Sequence, residues 1–177
     1  MTGEEDVPPG DAHVDSDLEA FWTDAKIHVN LTELAPYIGE HPLSAVRPPE
    51  CSFGTTPEQA DLLLGLILTG QKTATASALW DYEAAGEQLP RVGQLCIVLD
   101  GRGRPRALLR TDSVAVVPFD EVDEGHAVAD GGSDGSLARW REVHRGLFSE
   151  RFSPGRGFAE DMPVVLERFT VLHASRV

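Results

Sequence analysis

The chain has 177 residues, of which 41% are hydrophobic and 25% charged, as is typical of one soluble globular domain. Its formal net charge is −14, but residues 1–24 hold eight acidic residues and no Lys or Arg, so the remainder carries about −6 (−14 + 8). This balance excludes the basic field of a protein that grips long nucleic acid, and we expect no duplex DNA partner. No apolar run is long enough to span a bilayer and no signal sequence is visible, so we expect a cytoplasmic protein without a membrane partner.

The N-terminal part is predicted to lie outside the main domain. Residues 1–16 are acidic, contain Pro8-Pro9-Gly10 and show no apolar period, which predicts a disordered acidic tail. Residues 17–52 predict a helical extension and a linker. The extension begins with a short amphipathic helix capped by Asp17, and a second short helix is predicted over 31–38.

Residues 53–177 are predicted to form one α+β domain. Helices are predicted where apolar residues recur at helical spacing behind a cap, and strands where apolar runs end at turn residues. The predicted elements are a helix over 57–69, a strand over 73–79, strands over 94–99 and 106–117 joined by a turn at 100–103, a short helix over 120–129, a helix behind Ser136 and a strand over 164–172. Few helices and hairpin-like connections indicate a small, largely antiparallel β-barrel or curved sheet flanked by helices.

The two cysteines, Cys51 and Cys96, are too few for a disulfide framework. Cys96 also lies inside an apolar run that predicts a strand. We therefore expect both to be reduced, buried, structural residues.

The clearest functional signal is Gly70-Gln71-Lys72-Thr73-Ala74-Thr75, which follows the leucine-rich helix. Of the 15 basic residues only Lys26 and Lys72 are lysines, so Lys72 is an exception in an arginine-rich chain. A Lys and a Thr three residues apart at a tight turn can bind an anion or activate a hydroxyl. Lys72 also suits a helix C-terminus, where it complements the macrodipole, and Thr75 suits an ordinary strand.

Further candidate ligand-binding residues lie on either side of this segment. Tyr82 follows it and can stack on a base. Ser136 is a helix N-cap whose hydroxyl can also meet a phosphate. The predicted hairpin carries Arg102, Arg104 and Arg106, which are candidates for contacts to a short RNA or a phosphorylated ligand, or are surface arginines.

The signature at 70–75 resembles the G-x-K-x-x-T motif of ASCH-domain proteins, whose small β-barrel is similar to that of RNA-binding PUA domains. The resemblance covers most of the chain after residue 53 and continues through 89–93, 117–122 and the helix behind Ser136. It implies a PUA-like barrel for residues 53–177, with the helical N-terminal extension of the longer members.

The resemblance implies more than one activity. Small ASCH proteins include amidohydrolases that remove the acyl group from acetylated cytidine, and longer members include a ribonuclease on single-stranded RNA. Others are non-catalytic RNA-binding modules. The implied ligand is therefore a modified nucleoside or a short single-stranded RNA, and no cofactor is expected.

Carried across, the amidohydrolase roles make Thr75 the nucleophile, Lys72 its activator and Asp130 the acid or base. Family members commonly read Ala-x-x-Glu-Gly at the last position, whereas this chain reads Ala127-Val128-Ala129-Asp130-Gly131, and Gly132 replaces a second acidic residue. Aspartate keeps the carboxylate and shortens its reach. The alternative interpretation of Asp130 is a loop residue that closes an Asx-turn.

A metal site can be drawn from His126, Asp130 and His144. Their spacing matches no recognised ligand motif, so the sequence predicts none there. Trp140 and His144, four residues apart, are interpreted as anchors of their helix.

Overall fold

The computed structural model describes residues 9–29, 46–132, 135–150 and 157–175, with side chains from residue 14 onward. Helices α1 to α5 in these ranges are Pro9–His28, Pro57–Leu68, Leu79–Ala85, Glu124–Ala129 and Leu137–Glu150, and a 3-10 turn, Phe119–Glu121, precedes α4. Strands β1 to β5 are Glu50–Cys51, Ala74–Ala78, Leu95–Leu99, Pro105–Pro118 and Pro163–Ala174. None of the helices in this part of the chain is long and apolar enough to cross a bilayer.

The five strands form one sheet in the order β1, β3, β4, β5, β2. Strand β1 pairs with β3 in parallel, and β2 pairs with β5 in antiparallel register, with Ala74 opposite Arg168 and Ala78 opposite Val164. Helices and a five-stranded sheet in one chain, with a helix at the N-terminal side, confirm the predicted α+β class.

The chain divides into two compact units. The first unit comprises Met1–Leu64, Leu95–Leu109 and Leu172–Val177. Residues three and four apart lie on one face of a helix, because a helix turns once every 3.6 residues. Helix α1 buries one such face in the core of this unit. That face packs against β3 and β4 through Leu18, Phe21, Trp22, Ala25, Ile97 and Leu108.

The second unit comprises Gly65–Gln94 and Arg110–Val171. Its core lies between β2, β5 and helix α5, which buries Trp140 and Phe148. The ring of Phe119 stacks on Trp140 at 5.5 Å between centroids and meets Phe148 edge-on at 6.1 Å. These aromatic contacts fix α5 against the sheet beside the candidate site.

The first helix begins earlier than predicted. Helix α1 starts at Pro9, so the predicted N-cap at Asp17 is wrong and residues 9–16 are helical. Proline suits the first turn of a helix, and acidic residues stabilise that end through the macrodipole, although they create no apolar period. Residues 1–8 and the helix predicted over 31–38 lie outside the described residues.

The later elements follow the prediction with two differences. Residues Leu79–Ala85 form α3, where the sequence predicts the end of a strand and a loop. This helix has no side-chain cap at Ala78, so it carries no start signal in the sequence. The predicted helix over 120–129 divides into the 3-10 turn and α4, and Asp123 caps α4 by accepting from the N–H of His126 at 2.7 Å.

The expectation of reduced cysteines is also wrong, because Cys51 and Cys96 form a disulfide. Strand β1 forms within the predicted linker and is the reason for the disulfide. It pairs with β3, which contains Cys96, and Cys51 lies opposite Val98 in that pairing. The Cα atoms of the two cysteines are therefore 6.1 Å apart, within the range that a disulfide spans.

Candidate functional site

The end of helix α2 holds Lys72 in a defined position. Gly70 has a positive φ of 73°, which glycine adopts without a steric penalty and which ends the helix as predicted. The N–H groups of Gln71 and Lys72 both donate to the carbonyl of Leu66, at 2.9 and 3.0 Å. Lys72 thus still belongs to the turn, two residues before β2 begins.

The ammonium of Lys72 binds Asp130 inside the second unit. Lys72 is 4% and Asp130 6% exposed. The Nζ of Lys72 donates to the Asp130 carboxylate and, at 3.1 Å, to its backbone carbonyl. Two side chains of α5 complete the arrangement: Trp140 Nε1 donates to Asp130 Oδ2 at 2.7 Å, and His144 Nε2 lies 3.2 Å from the same oxygen. We call Lys72, Asp130, Trp140 and His144 the Asp130 network.

The Asp130 network keeps its carboxylate ionised. Burial by itself raises the pKa of Asp130, but the hydrogen bond from His144 and the charge of Lys72 outweigh burial and hold the pKa well below its ordinary value. A carboxylate that does not protonate near neutral pH is a poor general acid. It is well suited to hold the lysine ammonium in place.

A close backbone approach explains how the shorter aspartate reaches Lys72. Gly131 has a φ of +76°, and a Cβ on it would lie 2.9 Å from the carbonyl oxygen of Gln71 and 3.0 Å from the Cβ of Lys72. Next to it, the N–H of Thr73 donates to the carbonyl of Ala129 at 2.7 Å. The loop after α4 therefore lies directly on the turn before β2.

Thr75 has a carboxylate as its direct cross-strand neighbour. In β2 the residues Ala74, Ala76 and Ala78 contribute to or flank the core, so the alternate residues face the other side of the sheet. Thr75 lies on that side, directly opposite Glu167 of β5. Side chains in such a pair project to the same face with Cβ atoms about 5 Å apart.

Glu167 lies in a partly buried polar cluster. The hydroxyl of Thr111 donates to Glu167 Oε1 at 2.5 Å. Burial raises the pKa of Glu167, and the hydrogen bond from Thr111 opposes that rise. Burial also raises the pKa of Tyr82, against a side-chain hydrogen bond with Ser77, and the charge of Glu167 adds to the rise. We call Thr75, Ser77, Tyr82, Thr111 and Glu167 the Thr75 face.

The other predicted ligand-binding residues have structural contacts. Ser136 caps α5, since its Oγ accepts from the N–H of Arg139 at 3.2 Å. Asp100 organises the hairpin turn of the first unit: its carboxylate accepts from the N–H of Arg102 at 3.0 Å and pairs with the guanidinium of Arg104 at 2.8 Å. The backbone carbonyl of Arg106 accepts from the N–H of Ser175 at 2.9 Å.

The predicted site residues therefore divide between the two units. The second unit contains Lys72, Thr75, Tyr82, Asp130 and Ser136, whereas the first contains Arg102, Arg104 and Arg106. Within the second unit, Lys72 forms an ion pair with Asp130, and Thr75 lies opposite Glu167 in the register of β2 and β5.

Glu167, Trp140 and His144 lie at the candidate site, although the sequence analysis assigns none of them to it. A single Glu inside the apolar run 163–172 was a visible signal, since charged residues are rare in buried strands. Trp140 and His144 were interpreted as helix anchors, and they also bind the Asp130 carboxylate. Their i, i+4 spacing places both on one face of α5, but only the folded chain shows what that face meets.

Two comparisons with known proteins, one with family models and one with solved structures, agree with this architecture. The family model of the ASCH domain matches residues 50–173. The structure of an ASCH domain from Lactobacillus crispatus JV V101 is similar at a TM-score of 0.68 and 31% identity, over 84% of this chain and 93% of that one. A protein from Enterococcus faecalis V583 is similar at a TM-score of 0.70 and 33% identity, over 88% of each chain. No curated protein matches this chain significantly.

Proposed function

Because the chain belongs to the ASCH domain family, we propose that it acts on a nucleobase and removes an acyl group from a modified cytidine-type nucleoside. The observation that carries the proposal is the pair of Thr75 and Glu167, a hydroxyl directly opposite a carboxylate of raised pKa. A weak nucleophile next to a base of increased proton affinity is the arrangement that acyl transfer requires.

In the proposed reaction, the oxygen of Thr75 attacks the carbonyl carbon of the amide while Glu167 takes the hydroxyl proton. Glu167 then returns this proton to the exocyclic nitrogen, and the amine leaves. Water hydrolyses the resulting ester and regenerates the hydroxyl, with Glu167 again acting as the base. Thr111, which donates to Glu167, is a positioning residue in this scheme.

Asp130 takes a different role from the one that the resemblance implied. Its depressed pKa and its contacts to Lys72, Trp140 and His144 support a positioning role in place of acid–base chemistry. The ion pair holds the Lys72 side chain beside the ionised carboxylate, which suits Lys72 to an electrostatic role in this scheme. Lys72 then contributes a fixed positive charge at the start of β2.

Tyr82 is the proposed base-stacking residue. It is half-buried and belongs to the Thr75 face, where the charge of Glu167 adds to the rise in its pKa. A neutral nucleoside also suits a chain that is mildly acidic after residue 24.

The test is a chromatographic assay of acetylcytidine and a short unstructured RNA with the full chain. We expect deacetylation of the nucleoside, and we expect Thr75→Ala and Glu167→Gln each to lower its rate by about 10²-fold or more. Thr73→Ala is the matched control for the hydroxyl, since Thr73 is exposed and its backbone hydrogen bonds do not require its side chain. Glu142→Gln, on the exposed face of α5, is the matched control for the carboxylate.

A measurement of stability separates a catalytic role of Glu167 from a structural one. A raised pKa means that the ionised form is disfavoured in the folded state, so we expect Glu167→Gln to leave the free energy of unfolding unchanged or higher at neutral pH. Turnover that survives in both Thr75→Ala and Glu167→Gln would contradict the proposed mechanism. RNA cleavage without deacetylation would favour the ribonuclease alternative with Lys72 and Ser136, and binding without turnover would favour a nucleotide-binding module.

A further inference from the structure

A second cluster of titratable groups lies in the first unit, where α1 and β5 end. It consists of Asp24 and His28, one turn apart on α1, and His173 on β5. One donor atom from each residue lies within 4.8 Å of the other two. The residues line a cleft of about 510 Å³ together with Leu172 and Ala174.

The imidazole of His173 is held with an unused donor atom. Its side chain is 10% exposed, and its ring packs at 5.4 Å from Phe21 and 5.2 Å from His28. Among the described residues, its buried Nε2 has no hydrogen-bond partner. That nitrogen lies 2.9 Å from Asp24 Oδ2, in an orientation that makes no hydrogen bond. An imidazole nitrogen and a carboxylate oxygen this close together are two ligand atoms that one metal ion can join.

His28 is held by contacts of one ring nitrogen. Its Nδ1 lies 2.9 Å from the carbonyl oxygen of Asp24 and 3.2 Å from Asp24 Oδ1. Histidines that bind metals are commonly held by such a hydrogen bond from the other ring nitrogen.

We propose that Asp24, His28 and His173 bind a first-row divalent transition-metal ion such as Zn²⁺. Two imidazoles and a carboxylate are a frequent ligand set for such ions, and water completes the coordination. Tetrahedral bonds of 2.0–2.1 Å place neighbouring ligand atoms about 3.3 Å apart, close to the 2.9 Å between His173 and Asp24. The ion joins the last turn of α1 to β5. The site is independent of the proposed nucleoside chemistry, because all three ligands lie in the first unit.

The experiment titrates the metal-free full chain with Zn²⁺ by calorimetry. We expect one ion per chain, and we expect His173→Ala, His28→Ala and Asp24→Asn each to weaken its affinity at least about tenfold. Asp17→Asn is the matched control, since Asp17 is an exposed carboxylate on the same helix outside the cluster, and we expect it to leave the affinity unchanged.

Co²⁺ supplies a second readout. Its visible absorption spectrum reports the coordination directly, and we expect its bands in the unsubstituted chain and in Asp17→Asn but not in the three ligand variants. Asp24 and His28 are more than half exposed, so their variants remain interpretable if His173→Ala does not fold. The proposal is overturned if the unsubstituted chain binds no Zn²⁺. It is also overturned if the ligand variants bind as tightly as Asp17→Asn, which would place the ion elsewhere in the acidic N-terminal part.

Discussion

At the scale of single side chains, the carboxylate of Asp130 connects two parts of the second unit. It joins the turn before β2 to helix α5. It binds Lys72 on one side and Trp140 and His144 on the other. Removing one partner of a buried ion pair is costly, because the other charge stays buried. We expect Asp130→Asn to lower the free energy of unfolding at neutral pH by about 3 kcal/mol, measured by urea denaturation.

The pH dependence of unfolding tests the same residue. Because the folded-state pKa of Asp130 is depressed below its ordinary value of 3.8, its stabilisation is present above that value and is lost as the pH falls further. The unsubstituted chain is therefore expected to lose more stability than Asp130→Asn on acidification from about pH 5 to pH 3. Equal losses would contradict the ion-pair interpretation.

At the scale of elements, the site depends on the close approach of two backbone segments, the loop after α4 and the turn before β2. A Cβ at position 131 would meet the backbone of Gln71 and Lys72, and the positive φ disfavours any other residue there. We expect Gly131→Ala to destabilise the chain by about 1–3 kcal/mol in thermal or urea unfolding. Gly132→Ala is the matched control, because no atom of the described residues lies within 4 Å of a Cβ at that position. An equal loss in both variants would contradict the argument.

Strand β1 is two residues long and is held by a covalent bond as well as by its pairing with β3. The disulfide between Cys51 and Cys96 closes a loop with a sequence separation of 45. Loop-closure entropy then predicts that reduction lowers the free energy of unfolding by about 4 kcal/mol. The comparison is urea unfolding with and without reductant. The double variant Cys51→Ser with Cys96→Ser should not respond to reductant, and an equal response in both would contradict the prediction.

For the chain as a whole, charge distinguishes the two classes of ligand. The net charge is −14, and a neutral nucleoside releases no counterions when it binds. We expect deacetylation to change less than about twofold between 50 and 200 mM salt, where binding through 6–10 phosphate contacts falls about 10³–10⁵-fold. A steep salt dependence of nucleoside turnover would contradict this, whereas steep dependence confined to RNA binding would favour the RNA alternatives.

Much of the fold was predictable because its signals are local. The cap of α2, the stop at Gly70, the hairpin turn at Asp100 and the N-cap Ser136 each depend on a few neighbouring residues. Helix α3 was missed because it carries no capping side chain, and the start of α1 was missed because a polar helix shows no apolar period. The sequence identifies Lys72 and Asp130 as candidate site residues, whereas their contact depends on the fold.

What the sequence alone determined is the α+β class, most element positions and the signature residues Lys72 and Thr75, since propensity, capping and residue order act over short stretches. Only the tertiary structure decided the partners. It joined Lys72 to Asp130, placed Glu167 opposite Thr75, bonded Cys51 to Cys96 and brought His173 to α1. The physical reason is that strand register and helix docking depend on burial of the whole apolar surface, which brings together residues far apart in the chain.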